Sequence, residues 1–321
     1  MPSCSRCFWS KRSLMLLHCA LGAAQIATVA QAASPPPTAA EVLAASSDDQ
    51  WRTLDLQRLL VLEWPGARVV IELAPGFAPR HVANIKRLAR AGYFEHTAIV
   101  RVQDNYVVQW GDPLADDPTR MRSLGEAAAR LAPEFERKRA PKQALVKLPD
   151  PDVYAAGAAS GAGFLDGFPV AFDAQRVWLA HCYGMVGVGR DEAADSGNGA
   201  ELYAVIGHAP RHLDHNVTLV GRVVEGIEHF SSLPRGPAPM GFYAPPQRPI
   251  ALTRVTLGAD LPPAQRPALE ALDTAGASFK ALIDARRERR EPWFLTPTGR
   301  IDLCNVPLPV RPVTPKPATE S

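Results

Sequence analysis

Short apolar runs bounded by turn residues recur along the chain and predict β-strands. Residues 59–62 and 68–73 are two such runs, and the Trp-Pro-Gly-Ala sequence between them, residues 64–67, is typical of a turn. The two runs therefore predict a β-hairpin. Further strand-like runs occupy residues 101–113, 177–180, 183–190, 201–206, 217–224 and 249–257.

A helical period follows the hairpin. Pro79 suits the first position of a helix and Gly92 suits its end. The apolar residues that share one face of this helix are Val82, Ile85, Leu88 and Ala89. A second, short helix is predicted over residues 226–233. Seven or eight strands, two framework helices and no regular alternation of strand and helix indicate a mainly β fold, a closed antiparallel barrel.

Four segments fall outside this pattern. Residues 33–57, which begin rich in Ala, Pro and Ser, predict a flexible leader, and residues 114–176 form a long insertion with one predicted helix at 124–131. Residues 259–305 predict a helical C-terminal extension that begins at two prolines, and residues 306–321 predict a disordered proline-rich tail. The helical register of the extension rests on Leu269, Leu272, Phe279, Leu282 and Ile283.

The first 32 residues have the pattern of a secretory signal. Three early cations precede an apolar run over residues 14–29, and Ala30-Gln31-Ala32 matches the small-x-small rule for cleavage. The alternative is a retained membrane anchor, although the apolar run is shorter than a membrane span needs. We therefore expect residues 1–32 to be a signal peptide and the mature protein to be periplasmic or secreted, without stable membrane insertion.

Removal of this signal changes the charge of the chain. The whole sequence carries a formal charge of +2, and the signal contains three cations and no acidic residue, which leaves −1 for the mature chain. A nearly neutral chain gives no electrostatic reason to expect nucleic acid or a membrane surface as a partner. Cys4, Cys7 and Cys19 leave with the signal. Cys182 and Cys304 remain, either as a disulfide or as buried free thiols.

Most catalytic motifs are missing from the sequence. It contains no Gly-x-Ser-x-Gly, no His-Glu-x-x-His and no P-loop. His208, His212 and His215 lie in a predicted loop without an acidic or cysteine partner at ligand spacing, so we expect no metal site. Residues 101–113 offer a different chemistry, since Arg101 and Gln109 supply a donor and an amide beside apolar residues. This combination suits binding of a neutral polypeptide better than breaking a bond.

Two blocks of sequence resemble the cyclophilin-type peptidyl-prolyl isomerases. The first covers residues 69–94 and 101–113, and the second covers residues 196–203 and 213–226. The resemblance extends over residues 58–258. It implies an eight-stranded antiparallel barrel capped by two helices, cis/trans isomerisation of X-Pro bonds in proline-containing polypeptide clients, and no cofactor.

The resemblance also implies roles for individual residues. Arg101 stands where the family has the arginine that donates to the prolyl nitrogen, and Gln109 where it has the glutamine that holds the substrate backbone and orients that arginine. Tyr106, Val107 and Tyr203 replace the family's Phe, Met and Phe in the wall of the proline pocket.

The other substrate-binding positions depart further from the family. His212, or Arg211 with a one-residue shift, replaces a tryptophan beside Leu213. Val217 replaces the pocket histidine, and Gly187 stands where the family commonly has an asparagine whose backbone contacts the substrate.

Two hypotheses follow. The first is a monomeric, exported isomerase that assists protein folding. The second is a catalytically weak or inactive binding or chaperone module, in which the insertion and the C-terminal helix form the partner surface.

Overall fold

The computed structural model describes residues 35–140, 143–157 and 159–313. The predicted signal peptide, residues 1–32, lies outside the described residues. From Pro36 onward the described chain belongs to one compact unit. Within the described ranges, no helix is long and apolar enough to cross a membrane.

The described chain is mainly β, as predicted. Its helices are α1 (Ala39–Ala44), α2 (Pro79–Arg90), α3 (Ile227–Ser231) and α4 (Ala277–Glu288). Its strands are β1 (Trp51–Thr53), β2 (Leu59–Trp64), β3 (Ala67–Leu73), β4 (Ala98–Val102), β5 (Val107–Gly111), β6 (Arg137–Lys138), β7 (Val146–Lys147), β8 (Gly161–Leu165), β9 (Phe168–Phe172), β10 (Arg176–Leu179), β11 (Met185–Val188), β12 (Leu202–Val205), β13 (Leu219–Glu225), β14 (Ile250–Ala251), β15 (Arg254–Leu257), β16 (Leu269–Leu272) and β17 (Val310–Pro312).

The largest sheet is a curled antiparallel sheet of nine strands in the order β14-β4-β5-β12-β11-β13-β3-β2-β15. The sequence predicted a closed barrel of eight strands. The count differs because the last segment contributes two short strands, β14 and β15, at opposite edges of the sheet. Between them, the Leu252 N–H donates to the Thr97 carbonyl at 2.9 Å and the Thr253 N–H to the Glu63 carbonyl at 2.8 Å. One short segment therefore bonds to both edges.

The predicted hairpin and the first framework helix are both present. β2 pairs with β3 from Leu59 to Trp64, and Gly66 in the turn adopts a φ of +79°. Val82, Ile85 and Leu88 of α2 are buried against the sheet. Burial of an aliphatic side chain of this size stabilises the fold by about 1.5–3 kcal/mol, so this face holds α2 in place.

The insertion and the strand that follows it, β10, form a second sheet in the order β6-β10-β9-β8-β7, and the helix expected over residues 124–131 is absent. Gly125 adopts a φ of +58°, which interrupts a helix, and the Leu131 N–H donates to the Asp195 carbonyl at 3.0 Å. The backbone therefore bonds to a distant loop instead of to its own preceding turn. The buried aromatic side chains of this sheet are Phe164, Phe168, Phe172 and Trp178.

Much of the segment predicted as a flexible leader is ordered. Thr38 forms a capping box with Glu41 at the start of α1. Ala39 and Val42 of α1 share an apolar cluster with α4, while β1 pairs with β16 in a separate three-stranded sheet with β17. These short elements gain their apolar contacts from residues more than 200 positions away, which local composition does not reveal.

The C-terminal extension is only partly helical. The structure divides the predicted helix into strand β16 and helix α4, with the Gly276 N-cap between them. Part of the predicted disordered tail forms strand β17, while residues 314–321 lie outside the described chain. Cys182 and Cys304 form a disulfide across a sequence separation of 122, which decides between the two states considered for them.

Candidate active site

Arg101 lies in β4 beside a β-bulge, where the register against β5 shifts between Ile99 and Arg101. Its Nε–H donates to the Met240 carbonyl at 2.6 Å, and one terminal nitrogen donates to Gln109 Oε1 at 3.0 Å. The other terminal nitrogen donates to Gln103 Oε1. A guanidinium has five N–H donors. Within the described part of the chain, these bonds leave one N–H on each terminal nitrogen for a substrate.

Two aromatic rings lie beside the guanidinium. The Arg101 Cζ atom lies 5.7 Å from the Tyr106 ring centroid and 5.0 Å from that of Phe242. Burial lowers the pKa of Arg101, while the charge of Glu201 raises it; arginine stays protonated in proteins in either case. The site therefore holds a permanent cation in one orientation.

Gln109 links Arg101 to a buried carboxylate. In the sheet it lies opposite Arg101 on β4 and opposite Tyr203 on β12. Its Nε2 donates to Glu201 Oε1, so its Oε1 faces the guanidinium. Arginine can only donate and a carboxylate can only accept, so the two neighbours together force this amide orientation.

Glu201 is itself perturbed by its surroundings. Burial raises the pKa of Glu201, and the nearby carboxylates of Asp116 and Asp191 raise it further, against the lowering effects of Gln109 and Arg101. Sequence reasoning did not identify this residue, although it lies two positions before Tyr203 in the second resemblance block.

A cavity of about 380 Å³ opens beside these groups. Seven of the nine residues predicted for the site line it. They are Arg101, Tyr106, Val107, Gln109, Tyr203, Leu213 and Val217. Val107 and Tyr203 are buried and belong with Val205 to one apolar cluster, so this side of the cavity is apolar.

His212 and Gly187 do not line the cavity. His212 is exposed, and its ring stacks on that of Tyr106 with centroids 6.4 Å apart. Arg211, the alternative at this position, turns into the protein and is 4% exposed. His212 therefore supports a wall residue from outside.

Gly187 has a packing role. It pairs with Tyr203 across β11 and β12, and a Cβ at position 187 would overlap the Tyr203 ring. The next residues line the cavity instead: Val188 at the end of β11, then Gly189 and Arg190. The predicted backbone contact of Gly187 with a substrate stays a prediction, although Gly187 itself does not line the cavity.

Sequence reasoning also missed Met240 and Phe242. Both are exposed and lie in the loop between α3 and β14, about 140 residues from Arg101, and an isolated bridge joins Phe242 to Arg101. Nothing in the local sequence of this proline-rich loop points to Arg101. Only the return of the chain to the edge of β4 brings them together.

The loop that contains His208, His212 and His215 makes hydrogen bonds to other parts of the protein. His215 Nδ1 lies 2.7 Å from Glu136 Oε2, and His208 takes part through its backbone N–H in a bond to Asn105. In the described ranges, no group of three or more His, Cys, Asp or Glu side chains could hold a metal ion.

Comparison with known proteins gives a consistent result. The family model for "Cyclophilin type peptidyl-prolyl cis-trans isomerase/CLD" matches residues 60–257. Probable peptidyl-prolyl cis-trans isomerases of Brucella suis biovar 1 and Brucella abortus strain 2308 are 25% and 24% identical over 182 residues, which is 57% of this chain and 74% of theirs.

A solved structure is similar over a longer stretch. The crystal structure of cyclophilin AquaCyp293 from Hirschia baltica is 26% identical, with a TM-score of 0.65, and the match covers 86% of this chain and 98% of that one. The likeness to this structure therefore extends beyond the residues that the family model matches.

Proposed function

Because the chain belongs to the cyclophilin-type peptidyl-prolyl cis-trans isomerase family, we propose that it accelerates X-Pro bond rotation in exported proteins through Arg101 and thereby assists their folding. The family and the names of the relatives support isomerase activity. The orientation of Arg101 at the cavity is the observation that carries the proposed mechanism.

The reaction needs no nucleophile. Resonance in the peptide bond sets a rotational barrier of about 18–20 kcal/mol. Rotation removes the conjugation, so the prolyl nitrogen regains a lone pair that can accept a hydrogen bond. A free N–H of Arg101 that donates to this lone pair stabilises the twisted amide and neither planar isomer, which is the condition for catalysis.

The neighbouring residues prepare Arg101 for this role. Gln103, Gln109 and the Met240 carbonyl accept three of its hydrogen bonds, and Tyr106 and Phe242 flank its plane. These contacts restrict the orientation of the Arg101 guanidinium before a substrate binds. Less reorganisation is then needed in the transition state.

Substitution of the arginine tests the mechanism. We expect Arg101→Ala to lower kcat/KM for an Ala-Pro peptide by at least about tenfold, which corresponds to about 1.4 kcal/mol of lost transition-state stabilisation. Magnetisation-exchange NMR on the peptide measures the rate. Arg90→Ala is a matched control, since Arg90 is an exposed arginine that pairs with Asp260 outside the cavity lining. A folded Arg101→Ala variant as active as wild type would reject this role.

Export is a separate part of the proposal. The sequence of residues 1–32 and the disulfide between Cys182 and Cys304 both suit an oxidising compartment. We expect residues 1–32 fused to a reporter enzyme to direct it to the periplasm of a bacterial host, with loss of the segment on export. Leu17→Arg, which interrupts the apolar run, is the control that should stay in the cytoplasm. Retention of both fusions in the cytoplasm would contradict export.

A further inference from the structure

A continuous set of buried polar side chains runs from the insertion to the wall of the cavity. We call it the insertion-to-pocket network; its members are Asp152, Arg211, Asp214, His181 and Tyr203. Arg211 donates to Asp152 through both terminal nitrogens, at 2.9 and 3.2 Å, and to Asp214 through Nε at 2.6 Å. His181 Nδ1 lies 2.8 Å from Asp214, and His181 Nε2 lies 2.8 Å from the Tyr203 hydroxyl.

The charged and titratable side chains of this network are almost completely shielded from solvent. The side chains of Arg211 and Asp152 are 4% and 3% exposed, and those of His181 and Asp214 are 1% and 4% exposed. A buried charge that loses its partner destabilises its surroundings more than a surface charge does. We therefore expect a substitution at one end of the network to disturb the positions of the residues that are bonded along it.

The hydrogen-bond directions follow from the chemistry of the members. Burial lowers the pKa of His181 against the hydrogen bond and charge of Asp214, which raise it, and the lowered pKa favours the neutral ring with one N–H. Although burial raises the pKa of Asp214, the hydrogen bond from His181 and the charge of Arg211 lower it overall. An ionised carboxylate can only accept, so His181 Nδ1–H donates to Asp214. His181 Nε2 then accepts from the Tyr203 hydroxyl.

The network holds two walls of the cavity at once. Tyr203 lines the cavity, and its hydroxyl bonds to His181, which is buried and does not line the cavity. Leu213 also lines the cavity. It ends the short 3-10 turn Arg211–Leu213, which begins at Arg211 and is followed by Asp214, so two members of the network flank it. Gly187 leaves room for the Tyr203 ring.

We infer that Asp152, Arg211 and His181 are positioning residues for the proline pocket, so that the insertion takes part in substrate binding through Tyr203 and Leu213. This inference rests on the proposed isomerase function. The polar end of Tyr203 is engaged by His181, so the ring offers the pocket an apolar surface like that of phenylalanine. Both planar isomers and the twisted state occupy this pocket, so looser walls weaken binding more than they slow the bound reaction.

A double-mutant cycle between the two ends of the network tests this. We expect Asp152→Asn and Tyr203→Phe each to raise KM for an Ala-Pro peptide about threefold or more, with kcat changed by less than about twofold. The double variant should have a KM no higher than that of the worse single variant, because each substitution interrupts the same path. NMR lineshape analysis over a range of peptide concentrations gives kcat and KM separately.

Asp173→Asn is the matched control. Asp173 also lies in the insertion and pairs with an arginine, Arg176, at 2.6 Å, but outside the network. It should leave KM unchanged. Effects of Asp152→Asn and Tyr203→Phe that multiply in the double variant, or an unchanged KM in Asp152→Asn, would overturn the inference, since a purely structural aspartate lowers thermal stability without coupling to Tyr203.

A replacement variant and the activity of the wild-type protein complete the test. If Asp152→Asn does not fold, Arg211→Lys replaces it in the same cycle, since lysine keeps the charge and loses the two-pronged contact. Wild-type protein without isomerase activity would reject the proposed function itself and leave a binding module. Active wild-type protein with independent effects in the cycle would reject only the role of the network.

Discussion

Single residues at this site are set by the donors and acceptors around them. Gln109 lies between a guanidinium and a carboxylate, and these two neighbours leave its amide one satisfactory orientation. Glu201 accepts the hydrogen bond that helps to set this amide orientation. Its burial disfavours the ionised carboxylate and raises its pKa above the ordinary value of 4.5. The site thus places a buried carboxyl group close to the cation of Arg101.

This arrangement predicts that Glu201→Gln stabilises the protein at neutral pH. The pKa of Glu201 is higher in the folded protein than in the unfolded chain. Protonated Glu201 therefore contributes to the free energy of unfolding at a pH below the unfolded-state pKa, and this contribution is lost as the pH rises through the folded-state pKa. Glutamine keeps an acceptor for Gln109 and removes this loss. We expect a gain of about 0.5–1 kcal/mol at pH 7, comparable to the net value of one hydrogen bond.

Urea denaturation at two pH values measures the effect. At a pH below both pKa values, wild type and Glu201→Gln should have equal free energies of unfolding, and the difference should appear only as the pH rises. Glu228→Gln is the control, because Glu228 is exposed in α3. A gain that is the same at both pH values would show that the charge of Glu201 is not its source.

Elements whose pattern is local were predicted well from the sequence. The β2–β3 hairpin and α2 each carry their own turn or helix signals, such as Gly66 in the turn and Pro79 at the first helical position. Arg101 and Gln109 were also within reach, because they lie in one resemblance block. The single strand predicted over residues 101–113 was wrong, since a turn divides it and places Arg101 on β4 and Gln109 on β5.

Elements that depend on distant partners were not predicted. α1 is six residues long and packs on α4, more than 200 residues later. The same reason explains the misassigned strand β16, which pairs with β1 and β17 in place of extending a helix. At the site, His181 and Phe242 escaped notice because their partners Tyr203 and Arg101 are separated from them along the chain.

At the scale of the whole molecule, the disulfide joins the segment that follows β10 to the C-terminal segment. Cys182 lies three residues after the end of β10, and Cys304 lies in the C-terminal segment that packs on the insertion sheet. The bond closes a loop across a sequence separation of 122. A cross-link over so long a loop restricts the unfolded chain strongly, by a chain-entropy estimate of more than about 4 kcal/mol, although measured values are typically about 2–4 kcal/mol.

We therefore expect Cys304→Ser to lower the free energy of unfolding of the oxidised protein by about 2–4 kcal/mol. Reduction of the wild-type protein should produce a loss of similar size, because it opens the same loop. Denaturant titration with and without dithiothreitol measures both. The Cys182→Ser/Cys304→Ser double variant is the control, and its stability should not respond to the reductant. A wild-type protein as stable after verified reduction as before would contradict this role and remove one of the two supports for an oxidising compartment.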